Sequence, residues 1–387
     1  MTETPLFKYL QIAQELESDI QEGDGDHGKF PSVRQIAHDH GVSIVTASRA
    51  VQVLRDKGLI RTVNRSGCHP VSPSSPSTDR WAILLRVTPG QWHQAAKAMT
   101  MAGFESLAQR EGLTLVSDAF VLRKGMTEQD YRSQVRAALD GGIQGVFMLP
   151  SRLNDAGARQ EEVFLNGCRR AGLAAVLIER NLRGNDRPLE YDLVCTDDVG
   201  GGAESTRHLI GLGHHRIAFV AGSPTSSHND RIAGYLFALL RARPAGRGSG
   251  GRWAPLVLEQ SPTLPAKVAY RELADQLLAE RADGVVCYED YVAMGLILEF
   301  MVRGVRVPQD IALTGFDDLP IGNAFAMGIT SYAFPSKEVA RQALRVIRQR
   351  LKFPLDPPVK VVVPGKLVVR ESSVPQGRAA PSRRQRT

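Results

Sequence analysis

Apolar residues recur at helical spacing three times near the start of the chain, then give way to short runs. Leu6, Tyr9, Leu10, Ile12, Ala13, Leu16 and Ile20 line one face of a first helix. Val33, Ile36 and Ala37 repeat that spacing, as do Ala47, Ala50, Val51 and Leu54. Between the last two sets lies His40-Gly41-Val42-Ser43, a glycine for a sharp turn followed by a serine suited to cap the next helix. Leu59-Ile60, Val63 and Val71 flank a polar tip, Asn64-Arg65-Ser66-Gly67, which is the spacing of a β-hairpin. The order of three helices and a hairpin predicts a winged helix-turn-helix whose partner is duplex DNA. An ordinary helical hairpin in a core would show the same periodicity but has no need of the wing.

The stretch Ser72-Pro-Ser-Ser-Pro-Ser-Thr78 has nothing apolar to bury and reads as a linker. Beyond it, short apolar runs alternate with amphipathic stretches. Strands are predicted at 81–85, 113–116, 145–149, 174–178, 217–220, 256–258, 284–287 and 311–314. Helices fall between them, near 127–140, 160–171, 200–212, 230–242, 266–280 and 291–303, with Ser226-Ser227-His228-Asn229 as a loop. This is βαβ repetition, so a parallel doubly wound α/β architecture follows, with more strands than one compact sheet holds. No phosphate-binding glycine fingerprint follows any strand. Gly200-Gly201-Gly202 opens a helix, where either an anion site or close packing on a neighbour would use small residues.

Charge sharpens the picture of the first segment. Residues 29–71 hold seven Lys/Arg against two acids, whereas residues 1–28 hold one Lys against seven acids. A basic second half coinciding with the motif fits phosphate contact, with the acidic first helix turned away. Of the net charge of +7, four arginines come from the last 13 residues, PQGRAAPSRRQRT, which read as a disordered basic tail. The chain of 387 residues is long enough for two or three domains. No apolar run reaches the length of a membrane span, and MTETPLFKYL lacks the features of a secretory signal, so a cytoplasmic protein is expected. Cys68, Cys168, Cys195 and Cys287 stand apart without metal-ligand spacing, as reduced thiols would. No metal, cofactor or catalytic constellation is expected, and the nine histidines are scattered.

Residues 5–71 resemble the winged-helix domain of the GntR family. The resemblance is carried by Pro5-Leu6, Gln11-Ile12-Ala13, Pro31-Ser32-Val33-Arg34, Gly41-Val42-Ser43, Thr46 and Lys57-Gly58-Leu59-Ile60. It implies DNA contacts at Ser32, Arg34, Ser43, Ile44, Val45, Thr46 and Arg49, and at the wing residues Arg65, Ser66 and Gly67. Ile44 stands where some members have Arg, and the wing tip lacks the usual Gly-x-Gly, so the operator sequence does not transfer.

Residues 80–370 are similar to the ligand-binding core of LacI/GalR regulators. Asp197-Asp198 with Gly201, the run His208 to Ala218, Gly222-Ser223-Pro224, Arg231 to Tyr235, Gly304 to Ala312, and Gly315-Phe316-Asp317-Asp318 carry that resemblance. It implies two α/β lobes of the periplasmic-binding-protein type with a small sugar between them. The residues expected at the sugar are Trp92, Glu179, Arg231, Asp290 and Asp317. Carboxylates and guanidinium forks bind hydroxyls, and an aromatic face stacks on the ring. The chain is thus divided into a head at 1–71, a linker at 72–79, a sensor and dimerisation domain at 80–370 and a tail at 371–387. The expected function is a homodimeric transcriptional regulator, of repressor type, whose grip on double-stranded operator DNA is set by a carbohydrate; the fusion resembles arabinose-responsive repressors. The alternative is a sugar-binding protein without regulatory DNA binding.

Overall fold

The structure, a computed structural model, describes residues 8–22, 30–56, 60–63, 67–70, 79–85, 95–123, 125–151, 157–185, 187–242, 254–325 and 327–374. The chain divides into two compact units, Met1–Thr78 and Asp79–Thr387. Of the predicted linker only Asp79 falls among the described residues.

The first unit contains α1 (Lys8–Glu22), α2 (Val33–Asp39), α3 (Ile44–Asp56) and the strands β1 (Ile60–Val63) and β2 (Gly67–Pro70). Ile12, Ala13 and Leu16 of α1 meet Ile36 and Ala37 of α2 and Ala47, Ala50, Val51 and Leu54 of α3, closed by Phe30. These are the residues whose spacing predicted the helices. Gly41 turns the chain with φ +61, the left-handed region that glycine enters without steric cost. β1 and β2 pair antiparallel, Ile60 opposite Pro70 and Val63 opposite Gly67, so the wing is present.

The second unit has two six-stranded sheets. The first lobe contains β3 (Arg80–Leu84), α4 (Ala95–Glu111), β4 (Thr114–Val116), α5 (Glu128–Asp140), β5 (Ile143–Met148), α6 (Gly157–Ala171), β6 (Ala174–Ile178) and β7 (Asp192–Thr196). The second contains α7 (Asp198–Gly211), β8 (Ile217–Ala221), α8 (Ser226–Ala242), β9 (Leu256–Glu259), α9 (Ala266–Ala279), β10 (Gly284–Cys287), α10 (Asp290–Val302), β11 (Ala312–Asp317), α11 (Pro320–Ala324) and β12 (Thr330–Ala333). The chain then returns through α12 (Ser336–Lys352) and β13 (Lys360–Val363) to the first lobe, and ends in the second with β14 (Lys366–Val368). The strand orders are β13-β7-β6-β5-β3-β4 and β14-β12-β11-β10-β8-β9. All pairs are parallel except β12 with β14.

Strand alternation divides the first core in two. Trp81 and Ile83 join Phe104 of α4 and Val339, Ala343 and Ile347 of α12 on one face. Ala82 and Leu84 join Tyr131 and Val135 of α5 and Phe164 of α6 on the other. The predicted doubly wound architecture is therefore present twice. The packed chain runs past the predicted limit at 370, because Ser372 and Ser373 are buried. The Ser372 hydroxyl donates to the Leu313 carbonyl and accepts from the Thr330 N–H, both at 2.8 Å. The domain therefore reaches Val374, and residues 375–387 lie outside the described residues. No helix is long and apolar enough to cross a membrane among the described residues, and none of their His, Cys, Asp or Glu side chains cluster in a way that would hold a metal.

Candidate functional site

Two surfaces carry the predicted chemistry. The first is on the helix-turn-helix. Ser32 caps α2 by accepting from the Gln35 N–H at 3.2 Å, which places Arg34 in the exposed first turn. Ser43 caps α3 in the same way, accepting from the Thr46 N–H at 3.2 Å and touching the Thr46 hydroxyl at 2.9 Å. Ile44, Val45 and Arg49 are exposed on α3 and Thr46 is half-buried. Gly67 opens β2, while Arg65 and Ser66 lie outside the described residues.

The second surface is a cavity of about 80 Å³ between the lobes of the second unit, lined in part by Lys97, Glu179, Arg180, His228, Arg231 and Asp317. Each side chain is delivered by the end of an element. Glu179 follows β6 and Asp317 ends β11, both with positive φ, 64 and 91. Non-glycine residues held there carry backbone strain. Both positions lie at the carboxyl ends of parallel strands, where ligands of open α/β sheets bind.

Arg231 owes its place to glycines. A Cβ on Gly202 of α7 would lie 2.1 Å from the Arg231 carbonyl oxygen, and one on Gly234 of α8 would lie 2.1 Å from that of Val199. The two helices therefore touch backbone to backbone, so Gly200-Gly201-Gly202 serves close packing. Arg231 is buried, donates from Nε to Asp198 at 2.7 Å, and donates from its terminal nitrogen to the Tyr288 carbonyl. It faces Asp317 at 3.5 Å and lies 3.9 Å above the Phe316 ring. Ser226 to Asn229 form the first turn of α8 rather than the predicted loop. Thr225 accepts from the His228 N–H at 3.0 Å, and that cap turns Ser227 and His228 into the cavity.

Asp290 departs from expectation. It is 1% exposed and is not on the cavity wall; its neighbour Glu289 is. Its carboxylate accepts from the Leu319 N–H at 2.7 Å and lies against Gly315, where a Cβ would come within 2.1 Å of it. Burial pushes that carboxyl well up, against the pull of Ser331 and Leu319. Asp290 thus ties α10 to the turn before α11. Trp92 lies outside the described residues, and the aromatic wall that is described is Phe334. Lys97, Thr100, Arg180, Ser227, His228, Glu289 and Phe334 were not singled out by sequence. The repeating small and polar residues that open helices after strands were the available signal for Ser227 and Glu289.

The acids of the site differ in state. Glu179 accepts from the Thr196 hydroxyl at 2.9 Å through one oxygen, while the other is buried without a hydrogen-bond partner among the described residues. Burial, reinforced by Asp198, pushes its carboxyl up to about 8; Thr196 and Arg231 oppose this. Burial also raises Asp198 to about 6 despite Arg231. An acid raised on folding holds a proton that the unfolded chain has released, so stability falls as pH climbs from its ordinary 4.5 to about 8. Below that window both states are protonated and nothing is lost; above it the loss is complete. Glu179→Gln removes this contribution. We expect its melting temperature, relative to the wild type, to rise steadily from about pH 5 to about pH 8 and then level off. A flat difference across that range would contradict a neutral Glu179.

Comparison with known proteins finds matches for both parts of the chain. Residues 8–69 match the model of bacterial regulatory proteins, gntR family, and residues 206–373 match the periplasmic binding protein-like domain. The chain is 26% identical over 378 residues to an arabinose metabolism transcriptional repressor of Geobacillus stearothermophilus, covering 96% of this chain and 99% of that one. It is 31% identical over 203 residues to the HTH-type transcriptional regulator CelR of Thermobifida fusca, covering 52% of this chain and 57% of that one. Among solved structures, a LacI family regulator from Enterococcus faecium with bound ribose superposes with a TM-score of 0.58 at 20% identity, covering 76% of this chain and 99% of that one. A CelR–cellobiose complex gives 0.58 at 22% identity, covering 89% and 100%. The chain joins a GntR-type helix-turn-helix domain to a periplasmic-binding-protein-like domain of the LacI-regulator fold, and is a DNA-binding transcriptional regulator.

Proposed function

We propose that the protein grips a palindromic operator as a homodimer in the cytoplasm, through α3, Arg34 and the wing, and that a small carbohydrate in the interlobe cavity sets the strength of that grip. The cavity wall carries the proposal. Its described charges are three cations, Lys97, Arg180 and Arg231, and three acids, Glu179, Glu289 and Asp317. A wall dense in hydrogen-bonding donors and acceptors, with charges of both signs and Glu179 kept protonated by burial, suits a polyhydroxylated molecule. Phe334 offers a ring for its C–H face. Residues from both lobes touch the same space, so occupancy biases lobe closure. One similar protein is an arabinose metabolism transcriptional repressor, and two structural neighbours hold ribose or cellobiose. Phe237 and Leu240 of α8, with Met301 and Val302 of α10, are exposed apolar residues that a second copy would cover.

The test is a thermal-shift screen of the full chain against arabinose, ribose, cellobiose, hexoses and polyols, since a ligand binding the native state raises its melting temperature. A panel without any shift would remove the carbohydrate from the account. On the DNA side, Arg34→Ala should weaken operator binding by about 1–3 kcal/mol while the sugar-dependent melting shift stays unchanged. Equal gel-shift midpoints for variant and wild type at physiological salt would place Arg34 away from the DNA.

A further inference from the structure

The opening turn of α3 carries two adjacent β-branched apolar residues in solvent, Ile44 at 57% and Val45 at 64% exposure. Neither belongs to the core of the first unit, which α3 reaches through Ala47, Ala50, Val51 and Leu54. The polar side chains beside them are occupied with each other, because the Ser43 and Thr46 hydroxyls meet at 2.9 Å and Ser43 also caps the helix. Along the same exposed face follow Ser48, Arg49 and Gln52, with Val45, Arg49 and Gln52 at positions i, i+4 and i+7. The surface that opens the helix is therefore apolar, and a cation follows one turn later.

We propose that Ile44 and Val45 read the C5-methyl groups of thymines in the operator's major groove, so that each half-site has thymine where the start of α3 meets the bases. The proposal rests on the operator-binding reading above and names the base chemistry it selects. The first residues of a recognition helix are those that approach base edges. On those edges the thymine methyl is the largest apolar group in the major groove; apart from the small C5–H of cytosine, the other features there donate or accept hydrogen bonds. A branched hydrocarbon pressed on an amino group or a carbonyl oxygen removes water from it and returns no bond. Pressed on a methyl, it buries apolar area on both sides, an effect of about fourfold in affinity per methyl. Arg49 supplies attraction to the anionic duplex without reading that position.

The experiment uses the full chain. A random duplex library is selected for binding at fixed salt, and the recovered operator is resynthesised with deoxyuridine in place of thymidine, one position at a time. Deoxyuridine keeps the pairing and removes only the methyl. The expected result is at least one thymidine per half-site whose replacement weakens wild-type binding about fourfold. The Ile44→Ala/Val45→Ala variant should bind the thymidine and deoxyuridine operators equally. Both residues are solvent-exposed, so the variant should keep the wild-type melting temperature, which is measured alongside. Wild-type indifference to deoxyuridine at every position would overturn the thymine assignment while leaving the regulator intact. Undiminished sensitivity in the double variant would do the same. Failure of the library to enrich any sequence would instead overturn the operator-binding reading and this inference with it.

Discussion

Arg231→Ala is expected to abolish the response to sugar and to lower the stability of the second unit by about 3–5 kcal/mol, the usual cost of removing one partner from a buried ion pair. Arg231 neutralises Asp198 at 2.7 Å and faces Asp317 at 3.5 Å, and it also fills space above the Phe316 ring at 3.9 Å. Removing it leaves the buried Asp198 without its cation and the half-buried Asp317 with Arg180 alone. Burial already raises both of them, so they take up protons more readily in the variant and the defect should ease at low pH. Arg231→Lys keeps the charge but loses the fork, and should fall between the two. Thermal unfolding across pH, with and without a sugar that binds the wild type, measures both effects. A variant with wild-type stability and a wild-type sugar shift would mean that Arg231 neither holds the lobe nor touches the effector.

Gly234→Ala is expected to cost about 1–3 kcal/mol or more by overpacking, despite adding a single methyl to a helix that alanine would otherwise favour. The new Cβ would lie 2.1 Å from the Val199 carbonyl oxygen and 2.7 Å from the Ala203 nitrogen. Both are backbone atoms, so the helices must part for the variant to fold. Parting them also moves Arg231 from Asp198, and the sugar response should weaken together with stability. Gly211→Ala is the control, since nothing lies within 4 Å of a Cβ there. If Gly234→Ala melts with the wild type while Gly211→Ala does not, the backbone contact between α7 and α8 is not what seats the arginine.

The head and the βα alternation were legible because each element's packing face is encoded by its own residues. Ala47, Ala50, Val51 and Leu54 show the buried stripe of α3 whatever it packs on. What local pattern does not encode is which partner an element meets. β7 opens with Asp192, which reads as a turn residue until Arg350, 158 positions later, pairs with it at 2.8 Å. The run KVVVPGKLVV has the look of two strands around a Pro-Gly turn. In the fold β13 enters one sheet beside β7 and β14 enters the other beside β12. The cavity shows the same limit at finer scale. Glu289 precedes α10 in extended backbone and Asp290 opens the helix, so the adjacent acids diverge: Glu289 lines the cavity and Asp290 faces the lobe interior. The resemblance pointed to Asp290 and left its neighbour Glu289 unmarked. Glu179, Arg231 and Asp317, which the resemblance implied at the sugar, share one cavity wall, where strand ends and the opening of α8 converge.

The central claim is that one chain links sugar occupancy to operator affinity. It is tested most directly by titrating the operator affinity of the full-length protein, at constant salt, with a sugar that raises its melting temperature. The expected result is a shift in the binding midpoint of about 5–150-fold that saturates with the sugar, and its absence in Arg231→Ala. An operator affinity that stays constant while the sugar is bound would contradict it.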